Sequence, residues 1–116
     1  MEKTFIFNAY GNDHKIALRK SNYLNNGTLA VFMVEIFDDG HEEPWGDLTV
    51  NIEDSNELAN PIDTAFVDTN NNGSIIIPWL SRNNIADVTG VMGFSGFCCY
   101  PLVRFKKEVI DAMPSL

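Results

Sequence analysis

Between Thr28 and Phe37 the chain reads Leu29, Ala30, Val31, Phe32, Met33, Val34 and Ile36, with Glu35 as the one charge. So short and so apolar a run is what a strand covered on both faces requires, and it predicts the middle of a sheet. Asn25-Asn26-Gly27 precedes it, residues that tolerate the positive φ of a tight turn, and Lys15 to Leu24 supplies an antiparallel neighbour. Asp38-Asp39-Gly40 marks the next turn, and the alternation of Asp47 to Ile52 then predicts a third strand, making an antiparallel meander.

The flanks extend this pattern. Thr4 to Tyr10 alternates as a strand closed by Gly11-Asn12-Asp13, residues 53–62 read as a loop, and Thr64 to Asp68 is a short strand. After the polar run Thr69 to Gly73, Ser74 is the expected N-cap of a helix over Ile75 to Asn83, with Pro78 near its first turn. Asp87 to Gly96, with Gly90, Gly93 and Gly96, predicts a loop, and Phe97 to Arg104 a strand that Pro101 pushes toward a sheet edge or bulge. Phe105, Val109, Ile110 and Met113 recur at helical spacing and predict an amphipathic helix ended by Pro114. The expected fold class is α+β, a mainly antiparallel sheet of about five to six strands with a short central helix and a C-terminal amphipathic helix. At 116 residues, the expectation is a single domain over 1–116.

Charge narrows the classes of function. The net charge is -8, and no Lys or Arg occurs between Lys20 and Arg82. A surface that acidic disfavours direct contact with nucleic acid or an anionic membrane and suits a basic protein partner; the competing reading is that it only keeps a small protein soluble. The N-terminus lacks a signal-like apolar region, no apolar run approaches a membrane span, and the adjacent Cys98 and Cys99 do not form a spaced disulfide pattern. These features predict a cytoplasmic protein with reduced, core-facing thiols.

Chemical motifs are few. Asp68, Asn70 and Asn72 place oxygen ligands at alternate positions before Gly73, as in the front of an EF-hand loop, but Trp79 falls where the bidentate Glu belongs. They form a weak calcium candidate against the plainer reading of Asx side chains bonding local backbone. Nothing places His14 or His41 beside a thiol, and Gly93-Phe94-Ser95-Gly96-Phe97 lacks the second glycine of a nucleophile elbow. No catalytic residue, cofactor or phosphate loop is therefore expected. The partner-binding candidates are Asp38, Asp39, Glu42 and Glu43 in the acidic connection, Trp45 as its exposed aromatic, and Asp68, Asn70 and Asn71 in the Asn run.

Two blocks, Ala65-Phe66-Val67-Asp68-Thr69-Asn70-Asn71 and Ser95-Gly96-Phe97-Cys98-Cys99-Tyr100-Pro101-Leu102-Val103-Arg104-Phe105, resemble a family of small uncharacterised proteins encoded on conjugative transposons and plasmids of Firmicutes. The resemblance spans roughly Asp47 to Phe105. It implies an accessory protein of a mobile element and carries over no catalytic residue. With the acidic middle, it leads to the expectation of a non-enzymatic interaction protein with a protein partner, in one form a basic nucleic-acid-binding protein. The alternatives are an anti-defence mimic of nucleic acid, inhibiting a nuclease or restriction enzyme, and a small thiol-dependent enzyme.

Overall fold

In the computed structural model, which describes residues 3–24, 27–52 and 62–115, β1 (Thr4–Ala9) and β2 (Asn12–Asn22) are joined by Tyr10 and Gly11. Both turn residues have positive φ, 54° and 77°, the conformation that matches the right-handed twist of a two-residue hairpin. The turn thus sits earlier than Gly11-Asn12-Asp13, and Asn12 and Asp13 belong to β2. Next comes β3 (Leu29–Ile36), which pairs with β2 through Leu18↔Met33 and lies inside a four-stranded antiparallel sheet, as its apolar run requires. Its hairpin closes with Tyr23 and Thr28 hydrogen-bonded; the Asn25 and Asn26 expected at the tip lie outside the described residues.

The third strand of the meander is β4 (Glu42–Asp47), a correction to the expected Asp47 to Ile52. Pro44 made this segment look like a loop. Because β4 is the last strand of its sheet, the missing N–H of Pro44 costs no second ladder. Met33 pairs with Gly46 and Val34 with Pro44, so Trp45 is the extra residue of a bulge. The chain then crosses to a second antiparallel sheet, formed by β5 (Thr49–Val50), β6 (Thr64–Val67), β7 (Ala86–Ser95) and β8 (Cys98–Phe105) in the order β5-β6-β8-β7. Eight strands in two sheets replace the five to six expected in one, and β4 and β7 make the difference. The expected loop Asp87 to Gly96 is β7: Gly90, at φ 91°, sits in a register break between Val88 and Met92, and the ladder resumes at Met92↔Pro101. Pro101 is therefore at the bulge and not at an edge, since β8 is an interior strand. The loop expected over 53–62 lies almost wholly outside the described residues.

Three short helices complete the fold. Thr69–Asn72 is a one-turn helix, α1, that the Asn run had concealed. Where a longer helix was expected, α2 (Ile76–Arg82) forms, but Ser74 does not cap it: Ile75 holds the N-cap position without a side-chain bond. Last, α3 (Lys107–Ala112) buries Val109 and Ile110 and is tied to β2 where Lys20 donates from Nζ to the Ile110 carbonyl and from its backbone N–H to that of Pro114, each at 2.9 Å. A buried cluster draws on both sheets and on the helices: Ile16, Leu18, Val31 and Met33 meet Val67, Val103 and Phe105, with Leu80 and Trp79 of α2. Trp79 donates its indole N–H to the Ile6 carbonyl at 2.7 Å and stands edge-on to Phe7, 5.0 Å between centroids. Among the described residues no helix is long and apolar enough to cross a membrane.

A smaller cluster of Ile52, Phe66, Tyr100 and Leu102 covers the rear face of the second sheet. It closes over Gly93, where a Cβ would stand 2.6 Å from Cε1 of Phe66 and 3.0 Å from Cδ1 of Ile52. Gly93→Ala is expected to destabilise the fold by about 1–3 kcal/mol through overpacking, read as a lower urea midpoint with an unchanged m-value.

Candidate functional site

Asp68 follows β6 directly and is buried. Its carboxylate accepts the Asn71 backbone N–H at 3.0 Å and the Asn71 side-chain amide at 2.8 Å, which winds residues 69–72 into α1. Asn72 then donates its amide to the carbonyls of Asp68 and Asp47, both at 2.9 Å, and so pins α1 against the end of β4. The result is a cleft of about 580 Å³ with Trp45, Phe7 and Tyr10 on one side and Asn71, Asn72 and Ile75 on the other. Two of the sequence candidates, Trp45 and Asn71, meet here although the chain separates them widely. Trp45 is half-buried, a correction to its expected exposure, because the bulge turns its ring onto Phe7 at 5.9 Å and His14 at 4.7 Å.

Behind Trp45 lies a pair that the sequence did not reveal. His14 Nδ1 is 2.7 Å from Glu35 Oε2, and its Nε2 is 3.2 Å from the Ala9 carbonyl. A carbonyl only accepts, and so does an ionised carboxylate, so an imidazolium with both ring nitrogens protonated satisfies the two contacts. The Glu35 hydrogen bond holds the His14 pKa above its ordinary 6.5; burial opposes this and the Ala9 carbonyl reinforces it. Only strand pairing brings these residues together, and no spacing rule in the sequence would have found them.

The acidic candidates sit on the β3–β4 turn and along β4. Asp38, Asp39, Glu42 and Glu43 are all exposed, with Lys15 3.9 Å from Asp38 and His41 4.0 Å from Glu43, and the other two are held more closely. Asp39 accepts the backbone N–H of His41 at 3.0 Å and its Nδ1 at 2.9 Å, bonds that lower its pKa, the backbone one most. Glu42 is paired with Arg19 at 2.8 Å, which holds its carboxyl below the usual range. Arg19 and Glu42 also flank a hollow of about 280 Å³ on the outer face of the sheet, with Phe32, Val34, Pro44 and Asp47. β4 is thus an edge strand with a cavity on either side.

The remaining candidates divide. Asn70 is exposed on α1, while Asp68 is buried and acts on the cleft through Asn71 and Asn72. Of the Asp68, Asn70, Asn72 trio, Asp68 accepts from Asn71 with both carboxylate oxygens and Asn72 donates to local carbonyls, bonding of the Asx kind set beside the calcium reading; among the described residues no group of three His, Cys, Asp or Glu side chains is placed to hold a metal. Cys98 is half-buried against the cluster of Ile52, Phe66, Tyr100 and Leu102, whereas Cys99 is exposed, so the expected burial holds in part for Cys98 and fails for Cys99. The imidazoles lie elsewhere, His14 on Glu35 and His41 stacked on Phe37 at 4.2 Å.

Fold and site together define a two-sheet α+β domain with an aromatic cleft beside an acidic edge strand. The chain belongs to the DUF4313 family, a domain of unknown function whose match covers residues 17–113 and so includes Trp45, the acidic edge and α1. Neither curated proteins nor solved structures show a significant match to it.

Two measurements test the construction of the cleft. Asp68→Ala removes the cap of α1 and is expected to cost roughly 1–2 kcal/mol by chemical denaturation. For His14, a folded pKa raised above 6.5 means that its contribution to stability is complete below that pH and is lost as pH rises through the folded value. The stability difference between wild type and His14→Gln should therefore shrink with rising pH across that window, and an NMR titration of His14 should show a midpoint above 6.5.

Proposed function

We propose that this chain is a non-enzymatic binding protein that takes a basic segment of a protein partner along β4, with one of its side chains in the Trp45–Asn71 cleft. The observation that carries the reading is the meeting of Trp45, Tyr10, Asn71 and Asn72 around one cleft at the end of an acidic edge strand. Each part suits a cationic chain. The faces of Trp45 and Tyr10 attract ammonium or guanidinium groups, the edge of β4, unpaired among the described residues, offers backbone groups to an extended segment, and Glu43 and Asp47 steer it in by charge.

An accessory role on a mobile element, the sense of the sequence resemblance, belongs to the same proposal. Its sharper form is anti-defence, with carboxylates occupying the nucleic-acid site of a nuclease or restriction enzyme. The engagement of Asp39 by His41 and of Glu42 by Arg19 leaves fewer unmatched carboxylates than composition suggests, and this favours recognition of a basic segment over mimicry of a phosphate chain.

The test is capture from a bacterial lysate at low and high salt by wild type, by Trp45→Ala, and by Glu43→Lys with Asp47→Lys, each matched for folded fraction. The expected result is a basic protein held by wild type at low salt, released at high salt and lost by both variants. Retention that ignores salt and both substitutions would send the search to another surface.

A further inference from the structure

The core face of the second sheet does not end where the core ends. Ala86, Val103 and Phe105 are buried on it, and the pairs Val88↔Val103, Met92↔Pro101 and Phe94↔Cys99 continue the same face outward along β7 and β8. There it is uncovered: Val88 is 56% exposed, Phe94 64%, and Phe97 at the hairpin tip fully so. From Val88 to Val103 there is no charged residue, in a chain whose net charge is -8. At the base of the hairpin, α2 leaves a hollow of about 250 Å³ against this face, lined by Ile77, Pro78, Leu80, Val88 and Val103 among others.

We infer that two copies of this chain associate through β7, antiparallel about a two-fold axis near Val91. Among the described residues β7 is an unpaired edge of its sheet, and its ends are complementary, with aromatic knobs at the tip and at the base a hollow that is apolar apart from Ser81 and Asp87. A two-fold axis makes one patch its own partner. Antiparallel pairing sets Phe94 of each copy opposite Val88 of the other, beside that hollow. Charge argues for a second copy over a basic partner. The strip has nothing to attract a cation and nothing to repel its own image, and the flanking Asp87 and Arg104 are matched by Lys106 at 2.7 Å and Asp63 at 3.6 Å. Size is sufficient: with about 150–250 Å² per aromatic side chain, Val88, Met92, Phe94 and Phe97 of two copies cover on the order of 1,000 Å².

The experiment is sedimentation equilibrium from low to high micromolar protein, with reductant present so that exposed Cys99 does not cross-link. Wild type is expected to pass from one chain mass to two, with the dimer unweakened by added salt, which screens the repulsion between acidic copies. Phe94→Ser with Phe97→Ser changes only exposed side chains and should weaken the dimer at least about 100-fold, equivalent to nearly 3 kcal/mol, without lowering the melting temperature. Register is tested by Val88→Cys with Phe94→Cys in a Cys98→Ser, Cys99→Ser background, which should oxidise to a disulfide-linked dimer. A wild type that stays monomeric, or a dimer indifferent to the two Phe substitutions, overturns the inference. So does a monomer that co-floats with phosphatidylcholine vesicles, which would make the strip a lipid contact.

Discussion

Leu48 stands where the two sheets meet, and the rest of the molecule hangs on how its short segment is bonded. Its backbone N–H donates to the Val31 carbonyl of the first sheet at 3.0 Å, and its own carbonyl accepts the Asp68 N–H from the end of β6 at 2.9 Å. Its side chain is fully buried. Next to it, the Thr49 hydroxyl accepts the Val31 N–H at 3.0 Å and meets the Tyr23 hydroxyl at 2.9 Å. A connection between two sheets would ordinarily leave backbone groups without partners in the interior; here they are satisfied by one sheet on each side. Because Asp47 precedes Leu48 and receives Asn72, the same crossing sets the width of the cleft.

From that junction the molecule divides its surface by chemistry. Toward β4 lie the carboxylates, the Trp45 ring and the Asn side chains, a polar edge with an aromatic floor. The opposite end of the second sheet is the hairpin of β7 and β8, uncharged from Val88 to Val103. The two proposed contacts differ in their physics: charge steering is screened by salt, whereas apolar contact is not. Because β4 and β7 belong to different sheets, the two proposed contacts would not compete.

Much of the local structure was legible from the residues. The apolar run of β3 predicts a mid-sheet strand and the strand order places it there, but cover is one-sided: Val31 and Met33 are buried in the core, while Phe32 and Val34 are only half-buried beside the outer hollow; Val109, Ile110 and Met113 announce the terminal helix by their spacing. The errors share one cause. Propensity makes loops of Pro44 in β4 and of the glycines in β7, but propensity is a weak prior when a neighbouring strand supplies the ladder: β3 and β8 hold them in place. Likewise the Asn run read as coil, and the carboxylate of Asp68 turned it into a helix. Trp45 was singled out as an exposed anchor and Asn71 as part of a polar loop; both line the cleft, but nothing in their spacing joined them, and the His14–Glu35 pair beneath left no trace in the chain.

What the sequence determined alone was therefore the class, an acidic α+β chain of antiparallel strands, because two-residue periodicity, turn chemistry and charge are properties of neighbours along the chain. What only the tertiary structure decided was the division into two sheets, the meeting of Trp45 with Asn71, and the exposure of a core face along β7. Those depend on strand register and on which surfaces find cover, and both are set by contacts between residues far apart in sequence.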